Sequence, residues 1–256
     1  MPAVGPVGRR IRYGATIATM GSDVTVQAEE PRARPYRSER RRLQARRTRQ
    51  RILASAAAEF SARGYAATTV AGIAAVAGVS VPTIEQVFRT KVNLLQAAID
   101  WAIAGDDEPS PILDRQTIRS AAEAPVVDDF LAAVSAVVVD VAERAAGLVL
   151  VALEAAAGES RLQSLAEQLR SNRDIMAGWI VDELRKRGAL RRGIDRREAV
   201  DVVWLLMDPA VYTRLRAERG WSRQRFREWF ADSTARLVTD SSGRTGPAPE
   251  RAQSLP

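Results

Sequence analysis

The chain contains no cysteine and no histidine. The first absence excludes disulfide frameworks, thiolate nucleophiles and cysteine-type zinc sites. The second removes the commonest metal ligand and the commonest general base. Aromatic residues make up only 5% of the 256 residues, and no sustained apolar–polar alternation marks a strand, so the pattern leans all-α. There is no Gly-rich phosphate loop and no pair of carboxylates at a motif spacing. Glu154 and Asp208 are acids that nothing selects as catalytic. The expectation is therefore a non-enzyme with no cofactor and no metal. Long hydrophobic runs are missing too. The most apolar stretch, Phe130 to Leu153, is interrupted by Asp140, Glu143 and Arg144, whereas a spanning helix needs about 20 apolar residues. The residues after Arg9 and Arg10 are too polar for a signal-peptide core. These points favour a cytoplasmic protein with no membrane partner, its start left open between Met1 and Met20.

What is present is Ala, Val and Leu in quantity: 46% of the chain is hydrophobic, enough for two ordinary domains. Charge is unevenly placed. Residues 1–50 hold 12 Arg against 4 acids, while the whole chain is +7, so residues 51–256 sit near neutrality. Basic arms of this composition attract phosphate; a solvated tail is the competing reading. Pro, Gly and Arg without periodicity suggest a disordered basic arm over residues 1–43, and residues 239–256 suggest a second disordered tail. Between them the pattern is helical: a small DNA-reading domain over 44–93 and a larger helical domain over 94–238.

Residues 48–95 carry the most information. Ile52, Leu53, Ala56 and Phe60 form one apolar face of a first helix from Thr48 to Arg63, with Gly64 where a left-handed stop is wanted. Thr69 is placed to cap a short second helix bearing Val70, Ile73, Ala74 and Ala77. Gly78 gives a tight turn. Ser80 caps a third helix whose apolar side is read as Ile84, Val87 and Phe88, with Pro82 in its first turn. This is a helix-turn-helix pattern. It leaves Val81, Pro82, Thr83, Glu85 and Gln86 facing outward. Gln86 suits adenine, Glu85 suits cytosine N4, and Val81 or Pro82 suits a thymine methyl. Thr69, Ser80, Thr83 and Lys91 complete the candidate DNA-binding set, Lys91 opening a fourth helix whose N-terminal amides also favour phosphate. Thr69 and Ser80 read equally well as plain caps, and Glu85 as a solvated charge.

Arg51-Ile52-Leu53, Ala56, Phe60, Gly64-Tyr65, Thr68-Thr69-Val70, Ile73-Ala74, Ala77-Gly78-Val79-Ser80, Thr83-Ile84, Phe88, Thr90-Lys91 and Leu94-Leu95 together resemble the N-terminal domain of TetR-family bacterial regulators. The resemblance covers about 48 residues. It implies an all-α homodimer on a palindromic operator, with a variable C-terminal domain that binds a small molecule and then releases the DNA. Repression is what the family implies by default. The third helix departs from the family where two aromatic residues are common: Glu85 and Gln86 stand there, and Pro82 replaces a common Gly. The operator is therefore expected to differ from those of well-known members.

Beyond residue 105 the likeness is one of architecture. Helices are expected over 126–144, 146–157, 159–188, 196–219 and 222–238, bounded by glycines including Gly147, with Pro209 kinking or splitting the fourth of these. Trp101, Phe130, Val134, Val138, Leu150, Glu154, Asn172, Met176 and Trp179 are candidate walls of a mostly apolar ligand pocket, with ordinary core as the competing reading. The apolar residues of 196–238 exceed what a terminal helix pair needs, and the family resemblance implies a four-helix dimer interface there. An architectural DNA-binding protein without a ligand is the alternative function.

Overall fold

The computed structural model describes residues 35–105 and 112–240. Residues 1–34, 106–111 and 241–256, which include the outer part of the basic arm, the polar break after Gly105 and most of the C-terminal tail, lie outside the described residues. Among the described residues ten α-helices follow in order: α1 Pro35–Ala67, α2 Val70–Ala77, α3 Val81–Phe88, α4 Lys91–Ala104, α5 Gln116–Glu123, α6 Val127–Ala155, α7 Gln163–Lys186, α8 Arg196–Leu206, α9 Pro209–Thr213 and α10 Arg223–Val238. Among the described residues there is no β-strand, only an isolated bridge between Leu190 and Thr239. The all-α expectation holds.

The chain folds as two compact units. The first comprises the described residues up to Ile112 together with Val141–Asn172; the second comprises Leu113–Asp140 with the described residues from Arg173 onward. The core of the first unit is continuous. Ile52, Leu53, Ala56 and Phe60 of α1 meet Ile73, Ala74 and Ala77 of α2, Ile84 and Phe88 of α3, and Leu94, Leu95, Ala98 and Ile99 of α4. Leu148 and Ala152 of α6, Leu162 just before α7, and Leu165 and Ala166 in its first turn close it. Each buried leucine, isoleucine or phenylalanine removed from water contributes about 1.5–3 kcal/mol.

In the second unit Phe130, Leu131 and Val134 of α6, Ile180, Val181 and Leu184 of α7, Val203 of α8, and Phe226, Phe230 and Val238 of α10 are buried. Charged groups are drawn in as well. Arg187 donates to the carbonyls of Ala122 and Ala124 at the end of α5, pairs with Glu183 at 2.8 Å, and lies over the Phe130 ring at 4.4 Å. Arg173 lies 3.7 Å over the Trp204 ring and pairs with Asp208 at 2.5 Å.

Several boundaries differ from the sequence expectation. α1 begins at Pro35, so the inner part of the segment expected to be a disordered arm is helical: arginine is a good helix former and nothing up to Gly64 breaks the helix. Gly64 adopts φ 71°, ψ 176°, which breaks α1 as expected, but one further turn follows to Ala67. Gly147 does not divide a helix: α6 runs unbroken past it, since a lone glycine costs only about 1 kcal/mol in a helix that is otherwise well packed. Pro209 does split its segment. α8 ends at Leu206, Asp208 caps α9 by accepting from Ala210 N–H, and a π turn, Arg214–Glu218, follows. Thr239, expected in the tail, is buried and bonded through its hydroxyl to the Ala235 carbonyl.

Candidate nucleic-acid interface

The turn between α2 and α3 is built by short-range forces. Thr69 is extended, and its hydroxyl accepts from Gly72 N–H at 3.0 Å, satisfying one free amide of α2. Gly78 takes the left-handed conformation at φ 62°, ψ 44°, which an L-residue with a Cβ adopts only at a cost. Ser80 then caps α3, accepting from Thr83 N–H at 3.3 Å and sharing a 2.8 Å bond with the Thr83 hydroxyl. Pro82 falls in the first turn of α3, where its missing N–H is not needed. The two helices are bent 110° apart, within the range of a DNA-reading helix-turn-helix.

Burial divides α3 into two faces. Ile84 and Phe88 are sealed at 2% and 4% exposure and anchor the helix to the core. Pro82, Glu85 and Gln86 are exposed, and Thr83 is half-buried. Two residues change sides from the sequence expectation. Val81, offered as a base contact, is half-buried and packs against the core. Val87, expected inside, is 46% exposed. The apolar arc of an eight-residue helix is narrow, and Ile84, Phe88 and Val81 already fill it; a helical wheel started at Ser80 would have shown this. Thr69 and Ser80 are also exposed, so each cap lies beside the outward face of α3 and α2.

The junction from α3 to α4 holds features with no sequence signature. Arg89 has φ 65°, ψ −47°, the only non-glycine described residue with positive φ. Thr90 N–H donates to the Phe88 carbonyl at 2.7 Å, which makes Arg89 the centre of a strained γ-turn. Thr90 caps α4 by accepting from Asn93 N–H at 3.1 Å. Lys91 stands in the first turn, its Nζ 4.2 Å from the centroid of the Tyr65 ring and 3.5 Å from the Ala66 carbonyl. Partial burial lowers the Lys91 pKa, opposed by the charge of Glu159. Burial likewise raises that of Tyr65, with Glu159 adding to the rise. On α1, Arg40, Arg41, Arg42, Arg46, Arg47, Arg49 and Arg51 are all exposed. Arg49 lies 4.8 Å over the Phe88 ring, so this basic surface adjoins the reading helix.

Residues 52–98 match the model of the bacterial regulatory proteins of the tetR family. The chain carries a TetR-family DNA-binding domain. Three solved structures share the fold over most of their length. A Rhodococcus protein assigned to the TetR family of transcriptional regulators is 16% identical, with a TM-score of 0.58 over 75% of this chain and 98% of that one. The FadR regulator of Bacillus subtilis, crystallised with stearoyl-CoA, is 19% identical, with a TM-score of 0.58 over 76% and 98%. NalD, the secondary repressor of the MexAB-OprM multidrug efflux pump in Pseudomonas aeruginosa, is 16% identical, with a TM-score of 0.57 over 78% and 100%. At these identities the likeness shows the fold: a TetR-like N-terminal helix-turn-helix followed by a helical C-terminal region. Comparison with curated protein sequences gives no match.

Within this TetR-like fold the residues expected to line a pocket fall in both units. Trp101, Leu150, Glu154 and Asn172 belong to the first unit; Phe130, Val134, Val138, Met176 and Trp179 belong to the second. Phe130 and Trp179 do meet, with ring centroids 5.9 Å apart. Phe130, Val134 and Met176 are buried, while Trp101, Val138, Leu150, Asn172 and Trp179 are half-buried. Glu154 is exposed, while Ala152 and Ala156 on α6 are buried. An open depression lies elsewhere, along α8, lined by Asp195, Arg197, Glu198, Asp201, Val202 and Leu205. No single helix among the described residues is long and apolar enough to cross a membrane.

Proposed function

We propose that this protein is a cytoplasmic, one-component repressor that binds a palindromic operator as a homodimer and leaves it when a small molecule occupies the C-terminal region. The observation that carries the reading is the α2–α3 unit: two capped helices at 110° with Pro82, Glu85 and Gln86 exposed on the second. Short polar side chains on a rigid helix are what base edges in a major groove require. Gln86 reads adenine, Glu85 accepts from cytosine N4, and Thr69, Ser80, Thr83 and Lys91 hold phosphates beside them. The arginines of α1 supply the sequence-independent attraction.

Dimerisation is proposed through α8 to α10. Leu205 and Leu237 are 58% and 46% exposed, large apolar groups that a partner copy would cover. Most of the other bulk in this pair, including Val203, Leu206, Phe226 and Phe230, is buried within the protomer, so the interface rests on fewer residues than the sequence suggests. Two-fold symmetry would set the reading helices about 34–36 Å apart, one turn of duplex.

The effector is taken to be apolar or amphipathic, in keeping with the alanine, valine and leucine content of the helices and with a structural neighbour that holds stearoyl-CoA. α4 is the proposed transmitter. Only Arg89 and Thr90 separate it from α3, and it packs on α1, so a shift of α4 would re-aim the reading helix. A ligand achieves this only by binding the two arrangements with different affinity.

The test is selection of duplexes from a random DNA pool, then gel shifts with the wild type and Gln86→Ala. A palindrome whose binding is lost or respecified by the substitution supports the reading. Binding without an enriched sequence, unaffected by the substitution, makes the protein an architectural DNA binder instead.

A further inference from the structure

Val87 is the residue of α3 that the core does not explain. It is 46% exposed, and it is not among the apolar residues packed against the core of its unit, which do include its helix neighbour Val81. It follows Gln86 directly and stands one turn after Thr83, so it shares the outward face of the helix. Val81 has turned inward and left that face without the methyl groups expected of it. A valine side chain can neither donate nor accept a hydrogen bond. Among the base edges of the major groove, the apolar group it can meet is the C5 methyl of thymine.

We propose that Val87 is a specificity-determining residue that packs on the C5 methyl of one thymine in each half-site, beside the base met by Gln86. The inference rests on the DNA-reading function proposed above. In that arrangement Gln86 supplies hydrogen bonding and Val87 supplies shape. A cytosine at the same position offers no methyl and leaves Val87 against water. The half-site therefore contains an A·T pair whose thymine is required for its methyl group.

The experiment uses the full chain and the duplex enriched from the random pool. Each thymine is replaced in turn, in both half-sites together, by deoxyuridine, which lacks only that methyl. The wild type, Val87→Ala and Val87→Thr are titrated against every duplex. Val87 is exposed, so both variants keep the core, and their melting temperatures check this. At one thymine position deoxyuridine weakens the wild type about fourfold per half-site, the effect of exposing one methyl-sized group. Val87→Ala shows no loss at that position and keeps the wild-type response at all others, while Val87→Thr, which retains one methyl, falls between. Deoxyuridine tolerated at every position overturns the proposal. So does a loss that persists undiminished in Val87→Ala, which would assign the methyl contact to another residue such as Pro82. Failure to enrich any sequence overturns the DNA-reading function and this inference with it, and is distinguished from the other two outcomes by the absence of a preferred duplex.

Discussion

The reading head and the second unit are held together by different forces. In the head, α1 to α4 meet through aliphatic and aromatic side chains, and the polar work is done by caps within a few residues of each other: Thr69 on Gly72, Ser80 on Thr83, Thr90 on Asn93. In the second unit, arginines join segments far apart in sequence: Arg187 donates to backbone carbonyls at the end of α5, and arginine–carboxylate pairs link Arg196 to Asp182 at 2.8 Å, Arg173 to Asp208, and Arg223 to Asp140. Within α1, Arg63 pairs with Glu59 one turn away at 3.2 Å. The contrast teaches that apolar packing and local caps hold the head, while the second unit adds charged contacts between distant segments.

The comparison breaks first at Phe60. It is fully buried at the centre of the head, and Phe60→Ala is expected to cost about 3–5 kcal/mol. Hydrogen exchange should show protection lost in α1 to α4 and retained in α10. Equal loss in both would mean that the two units do not differ in what stabilises them.

Arg187→Ala is the mirror experiment. It removes one of the two cations on Glu183, which is 6% exposed and keeps Lys186 at 2.5 Å, and it removes the donor to the Ala122 and Ala124 carbonyls. A loss of about 1–3 kcal/mol is expected, because the two carbonyls and one Glu183 oxygen lose their donor. Urea titration followed by circular dichroism measures it, and exchange should quicken in α5 and the end of α7. An effect under about 1 kcal/mol would place this network with ordinary surface pairs.

Asp100 sharpens the comparison, because it is a carboxylate withdrawn from water inside the head. Burial raises its pKa to about 6 against the opposing charge of Arg49. The folded form binds its proton more tightly than the unfolded form does. Its contribution is therefore favourable below about pH 4, falls away as pH rises towards 6, and is a full cost at pH 7. Asp100→Asn should stabilise the protein by about 1–2 kcal/mol at pH 7, allowing for partial solvent screening. It should also flatten the slope of stability between pH 4 and 6. Thermal melts across that range decide it; an unchanged slope would show that Asp100 titrates normally.

The smallest effect is expected at the caps. Ser80→Ala should lower stability by about 1 kcal/mol, read as a melting-temperature shift, and should leave the arginine network of the second unit untouched. A shift indistinguishable from zero would mean that water or the Thr83 hydroxyl replaces the cap.

Much of the head was legible in the sequence because its determinants are local. The period of Ile52, Ala56 and Phe60, the caps Thr69 and Ser80, and the left-handed glycines Gly64 and Gly78 each act over one or two turns, and each appears in the structure where expected. Val87 was misplaced because only the neighbouring helices decide how wide the buried arc of α3 is. The γ-turn at Arg89 left no trace, since arginine has no preference for positive φ and the turn is imposed by the two helices it joins.

The amino-acid sequence by itself therefore determined the fold class, the helix-turn-helix and the exposure of Pro82, Glu85 and Gln86 on α3, through periodicity and capping that need no distant partner. Only the tertiary structure decided that α4 and the stretch Val141–Asn172 share a core with the head. It also decided that Arg187 and Arg173 lie over aromatic rings beside their carboxylates. Such contacts join residues tens of positions apart, and their energy depends on burial and geometry that no single segment encodes.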